Sequence, residues 1–130
     1  MRVLVCGGRD YADAARVSFV LDHYHAQRPF SVLIHGAARG ADALAGVWAT
    51  LRGVPILDFP AKWDDLEALP CLVKYRRDGV AYNALAGSNR NAQMIAEGKP
   101  EIVIAFPGGR GTRNMLMQAR DCRIDTLEIP

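Results

Sequence analysis

Short runs of aliphatic and β-branched residues alternate along this 130-residue chain with segments whose apolar side chains repeat at helical spacing. The runs RVLVCG, FSVLIHG, VPILDF and EIVIAF begin at Arg2, Phe30, Val54 and Glu101 and predict four strands. A fifth run, DTLEIP at 125–130, predicts an edge strand. Strands separated by helices pair in parallel through right-handed crossovers. The alternation therefore predicts an α/β fold, with three α/β/α layers around a five-stranded parallel sheet in the order 3-2-1-4-5.

The helices between these strands are predicted from apolar side chains at i, i+3, i+4 and i+7. The stripes are Val17, Val20, Leu21 and Tyr24 in a helix at about 13–27, and Leu44, Val47, Trp48 and Leu51 in a second helix. Further helices are predicted at 82–97, with an interruption at Gly87, and at 112–120. Between the third strand and the helix at 82–97, prolines and a charged run weaken the pattern at 60–78. This segment is predicted to be a loop with one short helix after Trp63.

Composition limits the class of protein. Half of the residues are hydrophobic and 23% are charged, which is typical of a soluble globular protein, and this length predicts a single domain over residues 1–130. No apolar run approaches the roughly 20 residues that cross a bilayer, and the start of the chain lacks a signal-peptide core. We therefore expect a cytoplasmic protein without a membrane partner. A net charge of +2 disfavours nucleic acid as the partner.

Three predicted strand-to-helix turns contain both glycine and arginine, and all three must lie at one edge of a parallel sheet. The candidate ligand-binding residues in these turns are Gly7, Gly8, Arg9, Asp10, His35, Gly36, Arg39, Gly40, Asp42, Gly108, Gly109, Arg110 and Gly111. Glycine lets the backbone approach an anion closely, and the N–H groups of the following helix favour negative charge. The turns predict a phosphate site where the strand order reverses. They match neither the dinucleotide fingerprint nor the P-loop, and we expect no cofactor and no metal.

Several of these residues also have a structural interpretation. The glycines can serve only to permit tight turns. Asp10 and Asp42 can cap helices or bind ribose hydroxyls, and His35 can be a hydrogen-bonded structural histidine. Trp63 can pack in the core or stack on a base. The run KYRRDG at 74–79 is predicted to be a solvated loop, with contact to phosphate or a partner as the alternative.

Together with YNALAGSNRNAQM at 82–94, the three turns resemble the YspA-type, cpYpsA-related branch of the SLOG superfamily. The resemblance extends over nearly the whole chain. It implies a Rossmann-like fold and a nucleotide or nucleotide-derived ligand, related to NAD or ADP-ribose, bound as a sensor or accessory module. Because the three turns share one edge, we expect the turn after the first strand to line the wall beside the phosphate and the turn after the second strand to hold the sugar or a second phosphate.

The block YNALAGSNRNAQM and the block AFPGGRGT at 105–112, which follows the fourth strand, are also similar to LOG enzymes, phosphoribohydrolases that release a base from a nucleoside 5'-monophosphate. The residues that match the LOG phosphate motif are Pro107, Gly108, Gly109, Gly111 and Thr112, with Arg90 as cationic clamp and Asn91 beside it. That motif ends in a glutamate, and Met115 stands in its place. A thioether cannot stabilise positive charge at the anomeric carbon. LOG-like hydrolysis, or another hydrolysis of an N-glycosidic or phosphoester bond, is therefore the alternative to binding alone.

Two partner hypotheses follow from the same resemblance. LOG-like proteins commonly form homodimers, which implies self-association here. The DprA-like members of the superfamily imply single-stranded DNA as a third kind of ligand. The small net charge disfavours DNA, so we expect a small-molecule nucleotide instead.

Overall fold

A computed structural model describes all 130 residues and shows seven strands and four helices. The strands are β1 (Arg2–Cys6), β2 (Val32–His35), β3 (Ile56–Asp58), β4 (Val73–Tyr75), β5 (Ala81–Asn83), β6 (Ile102–Ala105) and β7 (Asp125–Glu128). The helices are α1 (Ala14–Gln27), α2 (Ala41–Arg52), α3 (Ala86–Gly98) and α4 (Arg110–Asp121). None of the four helices has the length and apolar character of a membrane span.

Five of the strands form one parallel sheet in the order β3-β2-β1-β6-β7. When only the strands of this sheet are numbered, the order is 3-2-1-4-5, which confirms the predicted α/β fold. At the centre, Leu4 of β1 lies between Ile34 of β2 and Val103 of β6. The chain leaves β1 toward β2 on one side and later returns to β6 on the other. The carboxyl ends of β1 and β6 are therefore the switch point of the sheet, where open α/β sheets bind ligands.

Side chains of the central strand alternate between two apolar layers, as the two-residue period of a strand requires. Val3 and Val5 belong to the layer that α1 and α2 cover, whereas Leu4 and Cys6 belong to the layer that α3 and α4 cover. Met115 of α4 is completely buried in the second layer. The helices thus cover both faces of the sheet and leave its carboxyl edge open.

The apolar stripe predicted for α2 is wrong, although the helix itself is present. Val47 and Leu51 are 60% and 73% exposed. The buried residues of α2 are Ala41, Asp42, Ala45, Trp48 and Ala49. Small side chains at the contact let a helix lie close to its neighbours. Trp48 is also held by its indole N–H, which donates to Asp22 of α1 at 2.9 Å.

The segment between β3 and α3 also differs from the prediction. The expected short helix after Trp63 is absent, and β4 pairs with β5 in an antiparallel hairpin outside the main sheet. Because residues 81–83 pair with β4, α3 begins at Ala86 instead of residue 82, and Gly87 lies in its first turn without interrupting it. The charged run at 74–79 is exposed, as predicted, and forms part of this hairpin.

Candidate functional site

A cavity of about 560 Å³ opens at the switch point of the sheet. This volume lies within the range of small-molecule sites. The charged side chains that line it are Arg9, Arg90, Arg110 and Asp42. The other predicted residues that line it are Gly7, Gly8, Asn91, Gly109, Gly111 and Thr112. Three guanidinium groups against one carboxylate favour an anionic ligand.

The glycine turns at this edge are joined through their backbones. The Gly8 N–H donates to the carbonyl of Pro107 at 2.9 Å, and the Gly8 carbonyl accepts from Tyr11 at 3.2 Å and from Ala41, the first residue of α2, at 3.1 Å. A Cβ atom at Gly40 would overlap the Gly8 carbonyl. The turns after β1, β2 and β6 therefore form one packed unit, which side chains at these glycines would separate.

The start of α4 carries groups that can bind an anion. No side chain caps this helix at Gly109, so the amides of its first turn point to the cavity without a partner from the chain. Thr112 is only 8% exposed, and its hydroxyl, which lies over Gly108, makes no hydrogen bond within the chain. An uncapped helix start with a nearby hydroxyl is a suitable seat for phosphate.

The start of α3 lies beside that of α4 and is uncapped too. Gly87 and Ser88 of its first turn line the same cavity. The carboxamide of Asn91 connects the two helices, because its Nδ2 donates to the carbonyl of Gly111 at 3.2 Å and to Oδ1 of Asn114 at 3.0 Å. Two helix starts, each with a positive dipole end, thus border one cavity.

Arg90 is partly buried and braces the cavity wall. Its Nη1 donates to the carbonyls of Gly36 and Phe59, at the ends of β2 and β3, and its Nε donates to Asn91 at 3.0 Å. Burial lowers the pKa of Arg90, and the neighbouring Asp42 opposes that shift. The side chain therefore fixes the position of α3 and leaves its second terminal nitrogen, Nη2, for a ligand.

Asp42 shapes the turn after β2. Its Oδ2 accepts hydrogen bonds from the amides of Gly36 at 3.0 Å and Ala38 at 3.2 Å. Burial raises the pKa of Asp42, while these hydrogen bonds and the charge of Arg90 act in the opposite direction. The carboxylate is thus held within the cavity wall and is not the cap of a helix.

The raised pKa of Asp42 makes a testable contribution to stability. A carboxyl whose folded pKa lies above its unfolded value of about 3.9 stabilises the protein at lower pH, and this contribution is lost as the pH rises through the folded pKa. We expect the unfolding free energy of Asp42→Asn, measured in urea from pH 3 to 8, to gain on that of the wild type as the pH rises. If the difference between the two unfolding free energies does not change with pH, burial does not raise the pKa of Asp42.

Several predicted residues lie outside the main cavity. Asp10 is exposed and pairs with Arg39 at 3.3 Å, and the interpretation of Asp10 as a helix cap is wrong because Asp13 caps α1. Gly36 and Arg39 line a second cavity of about 410 Å³, which shares Arg9 and Arg90 with the first. The predicted residues that line neither cavity are Asp10, His35, Gly40, Pro107 and Gly108.

His35 has a structural environment. It is 9% exposed, its Nδ1 accepts from the amide of Ala37 at 2.9 Å, and burial lowers its pKa. An Nδ1 that accepts a hydrogen bond carries no proton, so the ring is neutral. No three histidine, cysteine, aspartate or glutamate side chains form a metal-binding cluster in the structure.

The sequence is similar to known proteins. Residues 1–65 match YAcAr, the YspA, cpYpsA-related SLOG family. The chain belongs to this family. The SLOG chain is also 32% identical to "Gene 61 protein" of Mycobacterium phage D29 over 131 residues, which cover 98% of this chain and 95% of the phage protein.

A solved structure shares the fold. The SLOG chain superposes on DNA processing protein A (DprA) from Streptococcus pneumoniae with a TM-score of 0.71 and 20% sequence identity. The match covers 99% of this chain and 50% of that one, so the chain spans half the length of this structural neighbour. At this identity the likeness shows a common Rossmann-like fold.

The cavity of the SLOG protein also contains residues that the sequence patterns did not select. Ser88 and Asn114 lie inside the two blocks that resemble LOG enzymes, so their positions next to Arg90 and Thr112 were the available signal. Trp63 lines both cavities. Cys6, at the end of β1, also lines the main one, and burial raises the pKa of its thiol to about 12. That thiol is protonated at neutral pH and is a poor nucleophile.

Proposed function

We propose that this SLOG protein binds a nucleotide or nucleotide-derived phosphorylated ligand at the carboxyl edge of its sheet, as a sensor or accessory module. The uncapped start of α4, with the unbonded hydroxyl of Thr112 and the guanidinium of Arg110 at the same cavity, carries this proposal. Charge-assisted bonds from arginine to phosphate are stronger than neutral ones. Membership of the SLOG family supports a nucleotide over other phosphates, with ADP-ribose and NAD derivatives as the first candidates.

The part of the cavity wall beside the start of α4 offers groups that could bind a ligand larger than free phosphate. Oδ1 of Asp42 receives no hydrogen bond from the chain, and a carboxylate oxygen is a good acceptor for a ribose hydroxyl. Arg9 and Arg90 line both cavities, so a second phosphate can extend from the first cavity toward Gly36 and Arg39. The assignment is a phosphate at α4 and a sugar or second phosphate toward β2.

Catalysis has less support than binding. Asp42 is the one carboxylate among the residues that line the main cavity, and Met115, at the place of the LOG glutamate, lies completely buried in the apolar layer beneath it. LOG-like hydrolysis of an N-glycosidic bond would therefore depend on Asp42 as its acid or base. We keep that reaction as the alternative.

The test compares two arginines on one helix. Thermal unfolding is measured with AMP, ADP, ATP, NAD, ADP-ribose and ribose 5-phosphate, and the products are separated by chromatography. A ligand at about 100 times its Kd adds about 2.7 kcal/mol of stability. Arg110→Ala should weaken binding about tenfold, because it removes a charged donor from the cavity. Arg113→Ala removes the same charge one turn further on, outside the cavity, and should change affinity less than twofold.

Other outcomes assign the site differently. If both substitutions reduce the affinity equally, the arginines act only through their long-range positive charge. The assignment of Arg110 to the phosphate would then be wrong. Release of a free base would restore the hydrolase, and Asp42→Asn should then abolish the release. Binding of single-stranded oligonucleotides that weakens steeply with salt, without binding of any mononucleotide, would favour the DNA hypothesis.

A further inference from the structure

The segment at residues 60–85, between β3 and α3, contains a hairpin and contributes Trp63 to both cavities. We propose that Trp63 stacks on the base of the bound nucleotide and that the hairpin holds the indole in place. This inference rests on the proposed function and deepens it, because it makes the base a recognised part of the ligand. The ligand class is then a nucleoside phosphate and not a sugar phosphate.

The indole is braced by its own segment and by α3. The amide of Asn83, the last residue of β5, donates to the carbonyl of Trp63 at 2.6 Å. The rings of Trp63 and Tyr82 meet edge to face with their centroids 6.5 Å apart. On another side, a Cβ atom at Gly87 would stand 3.2 Å from Cη2 of the indole. The hairpin and the glycine of α3 together restrict the ring to its position at the cavity.

The hairpin is itself fixed by a buried side chain. Asn83 is completely buried, and its Oδ1 accepts from the amides of Leu72 and Leu85 at 3.2 Å and 3.0 Å. The side chain therefore connects both ends of the hairpin to the residue that precedes α3. Most of the hairpin is exposed, so it adds little to the apolar layers of the sheet. The backbone amide of the same Asn83 makes the hydrogen bond to the carbonyl of Trp63.

One face of the Trp63 indole is covered by the side chain of Arg9, which shows that this face can hold a flat group. The guanidinium of Arg9 lies 5.3 Å from the centroid of the Trp63 ring, which is the distance of a cation–π contact. Arg9 is exposed and forms no ion pair. A planar base can replace the guanidinium on the indole face, because stacking on an aromatic ring accepts any base. The displaced guanidinium remains at the cavity, where it can pair with phosphate.

The test separates recognition of the base from recognition of the sugar phosphate. Calorimetric titrations use AMP, ADP-ribose and ribose 5-phosphate with the wild type, Trp63→Phe, Trp63→Ala and the control Tyr75→Ala. Tyr75 is an exposed aromatic residue of β4 that lines neither cavity. Trp63→Ala should weaken AMP and ADP-ribose 10- to 100-fold and leave ribose 5-phosphate within twofold. Trp63→Phe should retain most of the affinity, and Tyr75→Ala all of it.

Fluorescence gives a second readout that a merely structural role would not change. The chain has two tryptophans. Trp48 is buried in the apolar layer that α1 and α2 cover, whereas Trp63 lies against α3. AMP should quench the emission of the wild type by stacking, ribose 5-phosphate should not, and Trp63→Phe should lose the quenching. This variant keeps an aromatic ring and is the safer one for folding.

Each contrary result identifies what has failed. If Trp63→Ala weakens ribose 5-phosphate as much as AMP, the indole only supports the loop and the inference is wrong. Equal wild-type affinities for AMP and ribose 5-phosphate would overturn it as well, and the phosphate site would stand. If neither these three compounds nor ADP, ATP or NAD binds the wild type, the proposed function fails, and the inference fails with it.

Discussion

Replacing Met115 by glutamate is expected to unfold the protein at neutral pH and not to create a LOG-like catalyst. Met115 is completely buried among apolar side chains, and the nearest cavity-lining position on α4 is its neighbour Asn114. Buried glutamates can have pKa values of about 8–9, some four units above normal. At about 1.36 kcal/mol per unit, the roughly 2.7 units between the unfolded pKa of about 4.3 and pH 7 cost about 4 kcal/mol, which approaches the whole stability of a marginally stable domain.

The pH dependence of this loss identifies its cause. The introduced carboxyl would have a folded pKa above its unfolded value of about 4.3, so the ionisation penalty is absent near pH 4 and grows as the pH rises. Urea unfolding at pH 4 and pH 7 should show the larger deficit at pH 7. Met115→Gln should lose stability without this dependence, and Met115→Leu should cost less than about 1.5 kcal/mol. A stable Met115→Glu protein that cleaves AMP would contradict the burial of this position.

Gly40→Ala is expected to cost about 3 kcal/mol, the second large effect. Gly40 has φ of 79°, and a Cβ there would overlap the carbonyl of Gly8 and approach the backbone of Arg9 to 2.6 Å. Backbone atoms cannot rotate away as a flexible side chain can, so the turns after β1 and β2 must separate. The melting temperature should fall by about 10 °C for a chain of this size, and ligand affinity should fall with it.

Gly53→Ala is the matched control for this substitution. Gly53 also has a positive φ, of 70°, but it lies in the left-handed αL region, and a Cβ atom there would meet no other atom within 4 Å. Its cost is therefore that of the backbone conformation alone, about 1 kcal/mol, without loss of affinity. Equal costs at Gly40 and Gly53 would mean that the contact with Gly8 does not restrain the turns.

The sheet could be predicted from the sequence because each of its strands is a short apolar run between turn residues. The buried face of α2 could not be predicted, because two different sets of apolar side chains on this helix repeat at helical spacing. The stripe with Val47 and Leu51 is the more hydrophobic, whereas the stripe with Ala45 and Ala49 is the one that packs. Close approach of the helix depends on side-chain size, and hydrophobicity alone does not report it.

The cavity was predictable in the part that the glycine turns form. Arg9, Asp42 and Thr112 all line it, since turns after parallel strands must meet at one edge. Trp63 of the 60–85 segment could be singled out, but the hairpin that holds it was not predictable. Its strands are three residues long and mostly exposed, so they lack the apolar alternation that indicates a strand. The hydrogen bonds of Asn83 that hold them are visible only in three dimensions.

The backbone bonds of Gly8 have a consequence for how such a protein changes over evolutionary time. Gly8 connects the turn after β1 to Pro107 and to Ala41, so a mutation that moves one of these turns disturbs the others. Three walls of the cavity can therefore change only together. The wall that contains Trp63 comes from a hairpin outside the main sheet, and it can vary in length and sequence by itself. Relatives with different ligands should accordingly diverge first between β3 and α3.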